Sequence, residues 1–244
     1  QSALVVWGSS ERMGSVMEKR MLGNTGVEIT VMGFGAMTIG GRFGPVDDNE
    51  SNRALHTAID GGMNFIDTSN AYGEGHSENL IGRFLKERSD RDDIVICTKG
   101  GNSFETLSGG GWGRDFTSDF IGRSLEVSLQ RLGLEAVDLY LLHNPKLDDM
   151  KAEDCYALLE KCKDEGKLKA WGVSINTPEE CDYAVESKKA ALFQMEYNVL
   201  NQSAADSFAR AKDKGAGVIC RVPLKRGFLS GKIDETVEFG EDDM

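Results

Sequence analysis

Residues 64–75 read NFIDTSNAYGEG. The stretch begins with a short apolar run, which predicts a buried strand that ends at Asp67. Tyr72 follows five residues after Asp67. Downstream, ICTKGG places Lys99 at the end of a second apolar strand, and DLYLLHNP places His143 at the end of a third. Carboxyl ends of parallel strands that share one rim are where α/β barrel enzymes keep their chemistry.

From residue 33 onwards, short apolar runs alternate with amphipathic stretches, which is the pattern of successive βα units around a parallel sheet. The predicted strands are 33–37, 64–67, 94–99, 138–143, 169–173, 192–195 and 217–221. Between the strands, Thr177, Pro178 and Glu180 predict a capping box with proline at the first helical position. Before the first strand, KRMLG and VEITVMG flank residues 24–26, which predicts a hairpin at the bottom of a barrel.

The composition narrows the classes of partner. A length of 244 residues suits one large domain, and 40 acidic against 28 basic residues give a formal net charge of −12. This charge repels phosphate backbones and anionic lipid headgroups, so we expect neither nucleic acid nor membrane as a partner. The five cysteines form no CxxC pair, which favours a reducing, cytoplasmic compartment and predicts no metal site. Residues 1–16 are interpreted as a leader or extension without function.

Four polar side chains can act together if the strand ends converge: Asp67, Tyr72, Lys99 and His143. A tyrosine is a poor proton donor at neutral pH, and an adjacent ammonium is expected to lower its pKa. Asp67 would hold Lys99 charged, while His143 would hydrogen-bond a carbonyl oxygen and orient it toward Tyr72. Such a site protonates a carbonyl oxygen as hydride reaches the carbon. Taken singly, the same groups suit a helix cap, a solvated lysine and a core histidine.

At these residues the chain resembles the aldo-keto reductases. DTSNAYG, TKGG and LLHNP match the family's acid-and-tyrosine strand end, its lysine and its histidine. Further matches are GFGAM (33–37), RSLEVSLQRLGLEAVDLYLLH (123–143), GKLKAWGVS (166–174), FQMEYN (193–198) and VPLKRGFLSGK (222–232). The resemblance implies a (β/α)8 TIM barrel that reduces an aldehyde or ketone with NADPH, with NADH as the alternative cofactor. It makes Tyr72 the proton donor, with Asp67, Lys99 and His143 as the other catalytic residues.

The resemblance also implies an extended cofactor site across the carboxyl ends of the strands. Ser174 and Gln194 would hold the carboxamide, and Arg221 would stack on the nicotinamide. The implied cofactor-binding residues are Ala36, Met37, Asp67, Ser174, Gln194, Arg221, Pro223, Leu224, Gly227, Leu229, Gly231 and Lys232. The implied contacts to a small-molecule carbonyl substrate are Tyr72, His143 and Trp112, the last in a glycine-rich stretch. In GVSIN, Ile175 separates Ser174 from Asn176, so no carboxamide contact is assigned to Asn176.

The carboxyl end departs from the family pattern. The chain stops at Met244 without the eighth strand and helix that complete the barrel and carry the adenosine pocket, so residues 17–244 are interpreted as an incomplete barrel. We expect either further residues after Met244 in the whole protein, or self-association and weak cofactor binding by this chain. Two other functions stay open: a catalytically weak or inactive relative that serves as a binding or regulatory subunit, and a Schiff-base lyase that uses Lys99.

Overall fold

The structure, a computed structural model, describes residues 17–41, 44–103, 113–187, 189–234 and 236–237. Within these ranges the strands are β1 Lys19–Met21, β2 Glu28–Thr30, β3 Phe34–Gly35, β4 Phe65–Asp67, β5 Val95–Gly100, β6 Asn102–Ser103, β7 Gly113–Arg114, β8 Val137–His143, β9 Leu168–Ser174, β10 Leu192–Glu196 and β11 Gly217–Arg221. The α-helices are α1 Asp48–Asp60, α2 His76–Lys86, α3 Ser118–Leu132, α4 Leu147–Ala152, α5 Tyr156–Asp164, α6 Pro178–Ser187 and α7 Ala205–Asp213. The predicted leader, residues 1–16, lies outside the described ranges.

The main sheet has seven parallel strands in the spatial order β11-β10-β9-β8-β5-β4-β3. Each predicted strand lies within two residues of an observed one, and helices separate the strands along the chain. The predicted hairpin is also confirmed, since β1 and β2 pair antiparallel with Lys19 opposite Thr30. β6 and β7 form a second antiparallel pair that flanks residues 104–112. Trp112, the predicted substrate contact, therefore lies outside the described residues.

The sheet curls until distant strands face each other. Gln194 in β10 donates from Nε2 to Oδ1 of Asp67 at 3.0 Å, although β5, β8 and β9 separate their strands within the sheet. Inward-facing apolar side chains from six strands meet the hairpin residues Leu22 and Val27 in one cluster. The hairpin lies at the amino ends of the strands, because the Asn24 amide donates to the Gly215 carbonyl just before β11. This arrangement confirms a barrel of the (β/α)8 type with its bottom plugged by a hairpin.

The edges of the described sheet are β3 and β11, which do not pair with each other. A cavity of 540 Å³ lies on this side, lined by the hairpin, by β11 and by Gly33 and Phe65. An eighth strand is expected at this position in a closed barrel.

The helices cover the outside of the sheet. Helix α3 buries the face formed by Ile121, Leu125, Leu129 and Leu132 and ends at Gly133, whose φ of 66° is left-handed. The predicted capping box precedes α6. Glu180 donates its amide to Thr177 Oγ1 at 3.2 Å, and its carboxylate accepts the Thr177 amide at 3.1 Å. No helix among the described residues is long and apolar enough to span a bilayer.

Candidate active site

The carboxyl ends of the strands bring the predicted residues to one rim. Asp67 is the last residue of β4, His143 ends β8 and Ser174 ends β9. Lys99 is the second-last residue of β5, and Arg221 ends β11. Because the strands are parallel and neighbouring, these side chains start from the same edge of the sheet.

Lys99 is fully buried and every ammonium proton has a partner. Its Nζ lies 2.8 Å from the Asp67 carboxylate, 2.7 Å from the Thr68 carbonyl oxygen and 3.3 Å from the Tyr72 hydroxyl. Burial is the largest single influence and lowers the pKa of Lys99, but Asp67, Tyr72 and Cys97 together outweigh it, so the net pKa lies above its ordinary value. Lys99 is therefore a charged, fixed group in contact with the phenol.

The pKa of Tyr72 moves in the direction opposite to the sequence expectation. Burial raises the pKa of this phenol, and the nearby charge of Lys99 only partly offsets that effect, so the net pKa lies above its ordinary value of 10.0. The phenol consequently keeps its proton at neutral pH.

Gly73, with a φ of 62°, turns the chain directly after Tyr72, and a Cβ there would lie 2.3 Å from the Gly40 carbonyl oxygen.

His143 lies beside Tyr72, with ring centroids 5.9 Å apart in an edge-to-face arrangement. Its Nδ1 is 2.8 Å from Ser69 Oγ and 3.0 Å from Asn102 Nδ2. Burial lowers the pKa of His143 well below 6.5, and the positive charges of Lys99, Arg221 and Arg114 lower it further. The imidazole is therefore neutral at physiological pH.

The depressed pKa of His143 predicts a pH dependence of stability. Below the ordinary value of 6.5 the unfolded chain binds a proton that the folded chain does not, so stability falls as the pH decreases. His143→Gln should flatten this slope by up to about 1.4 kcal/mol per pH unit, the value for one proton. Urea unfolding between about pH 7.5 and 5.5 measures the slope in the wild type and in the variant. Equal slopes in wild type and His143→Gln would contradict the assignment.

Ser174 and Gln194 form a second polar group next to the first. Ser174 Oγ donates to Gln194 Oε1 at 3.2 Å, and Gln194 reaches Asp67 through its amide nitrogen. Arg221 Nη2 donates to the Asn176 side chain at 2.7 Å and to the Ile175 carbonyl oxygen at 3.1 Å. Asn176, which received no role from the sequence, therefore holds Arg221 in place.

Two buried polar atoms at this rim have no hydrogen-bond partner among the described residues: Arg221 Nε and Asn144 Oδ1. The backbone N–H of Asn144 donates to the backbone carbonyl oxygen of Ser174 at 2.8 Å, which places Asn144 beside Ser174. Unpartnered buried polar atoms are uncommon in folded proteins, so both atoms are available to a polar group that binds at this rim. They fit a carboxamide bound near Ser174 and Gln194. Asn144 was missed in the sequence, where its only signal is its position directly after His143.

The segment after β11 carries most of the remaining predicted cofactor residues. Val222 has a φ of 56°, which is an outlier for a β-branched residue, and Arg226 and Gly227 also have positive φ. Asn198 Nδ2 holds the Val222 carbonyl oxygen at 3.0 Å. Strained backbone of this kind is concentrated at functional sites. Pro223, Leu224, Leu229, Gly231 and the exposed Lys232 follow along this segment.

At the other edge of the sheet, the Ala36 amide donates to the Asp67 carbonyl oxygen at 2.8 Å, which places Ala36 and Met37 beside the charged group. Across the described part of the chain, no cluster of three His, Cys, Asp or Glu side chains is arranged to hold a metal ion.

The geometry agrees with three comparisons. The model of the Aldo/keto reductase family matches residues 31–243. L-galactose dehydrogenase from Arabidopsis thaliana is 33% identical over 223 residues, covering 88% of this chain and 67% of that protein. Aldo-keto reductase yakc [NADP(+)] from Schizosaccharomyces pombe is 30% identical, covering 92% of this chain and 66% of its own length. The chain thus spans about two thirds of the length of these relatives.

Among solved structures, the holo form of aldo-keto reductase AKR11C1 from Bacillus halodurans superposes with a TM-score of 0.81. It is 30% identical, and the match covers 92% of this chain and 73% of that structure.

Proposed function

Because the chain belongs to the aldo/keto reductase family, we propose that it is an enzyme that reduces an aldehyde or ketone to an alcohol with NADPH. The observation that carries this proposal is the contact of one buried ammonium, Lys99, with both the Asp67 carboxylate and the Tyr72 hydroxyl. A charged lysine against a protonated phenol suits proton donation to an oxygen that gains negative charge.

Tyr72 would hold the proton at its hydroxyl oxygen until the substrate oxygen takes it. Its raised pKa keeps the phenol protonated beforehand, and the positive charge of Lys99 stabilises the phenolate that remains. Asp67 keeps Lys99 charged and fixed. His143 would orient the carbonyl oxygen by a hydrogen bond from Nε2, and Trp112 would line the substrate pocket.

The polar groups at the rim would hold the cofactor. Ser174, Gln194 and the unpartnered Asn144 Oδ1 suit a carboxamide, and Arg221 suits stacking on the adjoining ring. The bound cofactor supplies the hydride. The segment from Pro223 to Lys232, with Ala36 and Met37 at the opposite edge, would complete the contacts. NADPH is proposed over NADH because a relative carries NADP(+) in its name. The five free cysteines fit a cytoplasmic location.

A lyase that forms a Schiff base at Lys99 is disfavoured. Such a lysine must be uncharged to attack a carbonyl carbon, whereas Lys99 has a raised pKa and all its protons are engaged. A binding or regulatory subunit has the same rim groups available for cofactor binding, and it differs from an enzyme only in turnover.

The direct test of the proposed function is carbonyl-dependent oxidation of NADPH by the purified chain. A panel of aldehydes and ketones should include at least one that is reduced, with NADPH preferred over NADH in parallel titrations. Tight NADPH binding with no reduction of any carbonyl would favour the binding subunit. Trapping of the substrate on Lys99 by borohydride without nicotinamide would instead favour the lyase.

A further inference from the structure

The Nδ1 atom of His143 faces two groups that can donate a hydrogen bond to it. Ser69 Oγ lies at 2.8 Å and the amide nitrogen Nδ2 of Asn102 lies at 3.0 Å. Among the described residues, Nε2 makes no hydrogen bond. A neutral imidazole carries one proton, so the partners of one nitrogen decide which nitrogen holds it.

The Ser69 hydroxyl is arranged to donate to His143. Its oxygen accepts the backbone amide of Ala71 at 3.1 Å, and its own proton needs an acceptor. The other acceptors in reach are Asn70 Oδ1 at 3.4 Å and the Lys99 carbonyl oxygen at 3.5 Å, and both are farther than Nδ1. The shortest bond therefore uses Nδ1 as an acceptor.

Asn102 is held in place independently of His143. Its backbone carbonyl oxygen accepts from Asn70 Nδ2 at 3.0 Å, and its backbone pairs with Arg114 in the β6–β7 ladder. An amide nitrogen has no lone pair to offer, so Nδ2 can only donate to Nδ1. Both neighbours consequently require a bare Nδ1.

We propose that Ser69 and Asn102 are positioning residues that fix neutral His143 in the tautomer with its proton on Nε2. This tautomer directs a donor away from Ser69 and Asn102, which is what polarising a carbonyl oxygen requires. The effect on catalysis rests on the proposed function, whereas the tautomer itself does not. Two consecutive residues of the DTSNAYG motif take part, since Ser69 contacts the ring and Asn70 anchors Asn102.

The tautomer can be measured without any substrate. The chain has only three histidines, so ring-nitrogen NMR on isotope-labelled protein resolves them, and the His143→Gln variant identifies the signals of His143. In the wild type at neutral pH, Nδ1 should show the shift of an unprotonated nitrogen and Nε2 that of a protonated one. A protonated Nδ1 would overturn the proposal whether or not the protein reduces carbonyls.

Asn102→Asp tests the role of the amide, because aspartate has the same size but can only accept. It should place a proton on Nδ1 and lower kcat for carbonyl reduction by about tenfold or more, with a smaller change in KM for NADPH. Asn102→Leu keeps the side-chain volume but can neither donate nor accept a hydrogen bond, so Nδ1 of His143 should stay unprotonated beside Ser69. Thermal melting shows whether each variant is folded. An unprotonated Nδ1 in folded Asn102→Asp would refute control by this residue.

Failure of the two ideas is distinguishable. If the wild-type protein reduces no carbonyl but shows the bare Nδ1, the proposed function fails and the assignment of the tautomer stands. If the wild-type protein reduces carbonyls but carries a proton on Nδ1, the assignment of the tautomer fails and the proposed function stands.

Discussion

Replacing Tyr72 by phenylalanine is expected to abolish carbonyl reduction while leaving NADPH affinity unchanged. The substitution removes only the hydroxyl, which lies 3.3 Å from Lys99 Nζ, and keeps the ring that packs beside His143. Without the hydroxyl no proton reaches the substrate oxygen from this position. Since general acid catalysis is worth roughly 10²- to 10⁴-fold, kcat should fall by at least the lower value. Steady-state kinetics and a fluorescence titration with NADPH measure the two quantities.

Tyr156→Phe is the matched control for this change. Tyr156 is a buried tyrosine in α5 that packs against Trp171, with ring centroids 4.8 Å apart. Its variant should keep full activity. A Tyr72→Phe protein that retains activity within about tenfold of wild type would remove Tyr72 from the role of proton donor.

Replacing Lys99 by methionine is expected to reduce both stability and activity. Asp67 would be left at a buried position without its main charged partner, and breaking a buried ion pair typically costs about 3–5 kcal/mol. The phenol of Tyr72 would lose the positive charge that partly offsets burial, so its pKa should rise further. The tyrosine limb of the pH profile for reduction should therefore move to higher pH. Urea unfolding and pH-dependent kinetics measure the two effects.

A double variant separates the two consequences of losing Lys99. Asp67→Asn combined with Lys99→Met removes both charges, so it should recover much of the stability but none of the activity. The hydrogen bond from Gln194 to position 67 has an acceptor in either case. If Lys99→Met is as stable as wild type and has an unchanged pH profile, Lys99 has no part in the site.

The sequence predicts the strands well because apolar runs and helix signals are local. The ends of β4, β5 and β8 follow from such runs, and with them the placement of Asp67, Lys99 and His143 on one rim. The capping box at Thr177 is equally local, since its two hydrogen bonds join residues three positions apart.

Other features depend on tertiary structure and have no local signal. The pKa of Tyr72 is raised rather than lowered because burial outweighs the effect of the nearby Lys99 ammonium. The burial of this phenol results from packing between residues that are far apart in the sequence. Asn102 in β6 contacts His143 at the end of β8 although 41 positions separate them, and no spacing in the sequence indicates that contact. The hydrogen bond between Asn176 and Arg221 likewise joins residues from two strand ends that meet only in the folded barrel.

The most direct test of the account is a single-turnover experiment on the chain with NADPH already bound. After mixing with a reducible aldehyde, the wild type should oxidise about one equivalent of cofactor per chain, as expected for one nicotinamide site. Tyr72→Phe should bind the same amount of NADPH and oxidise almost none in the same time. Oxidation at comparable rates in both proteins, or none in the wild type with any carbonyl of the panel, would contradict the account.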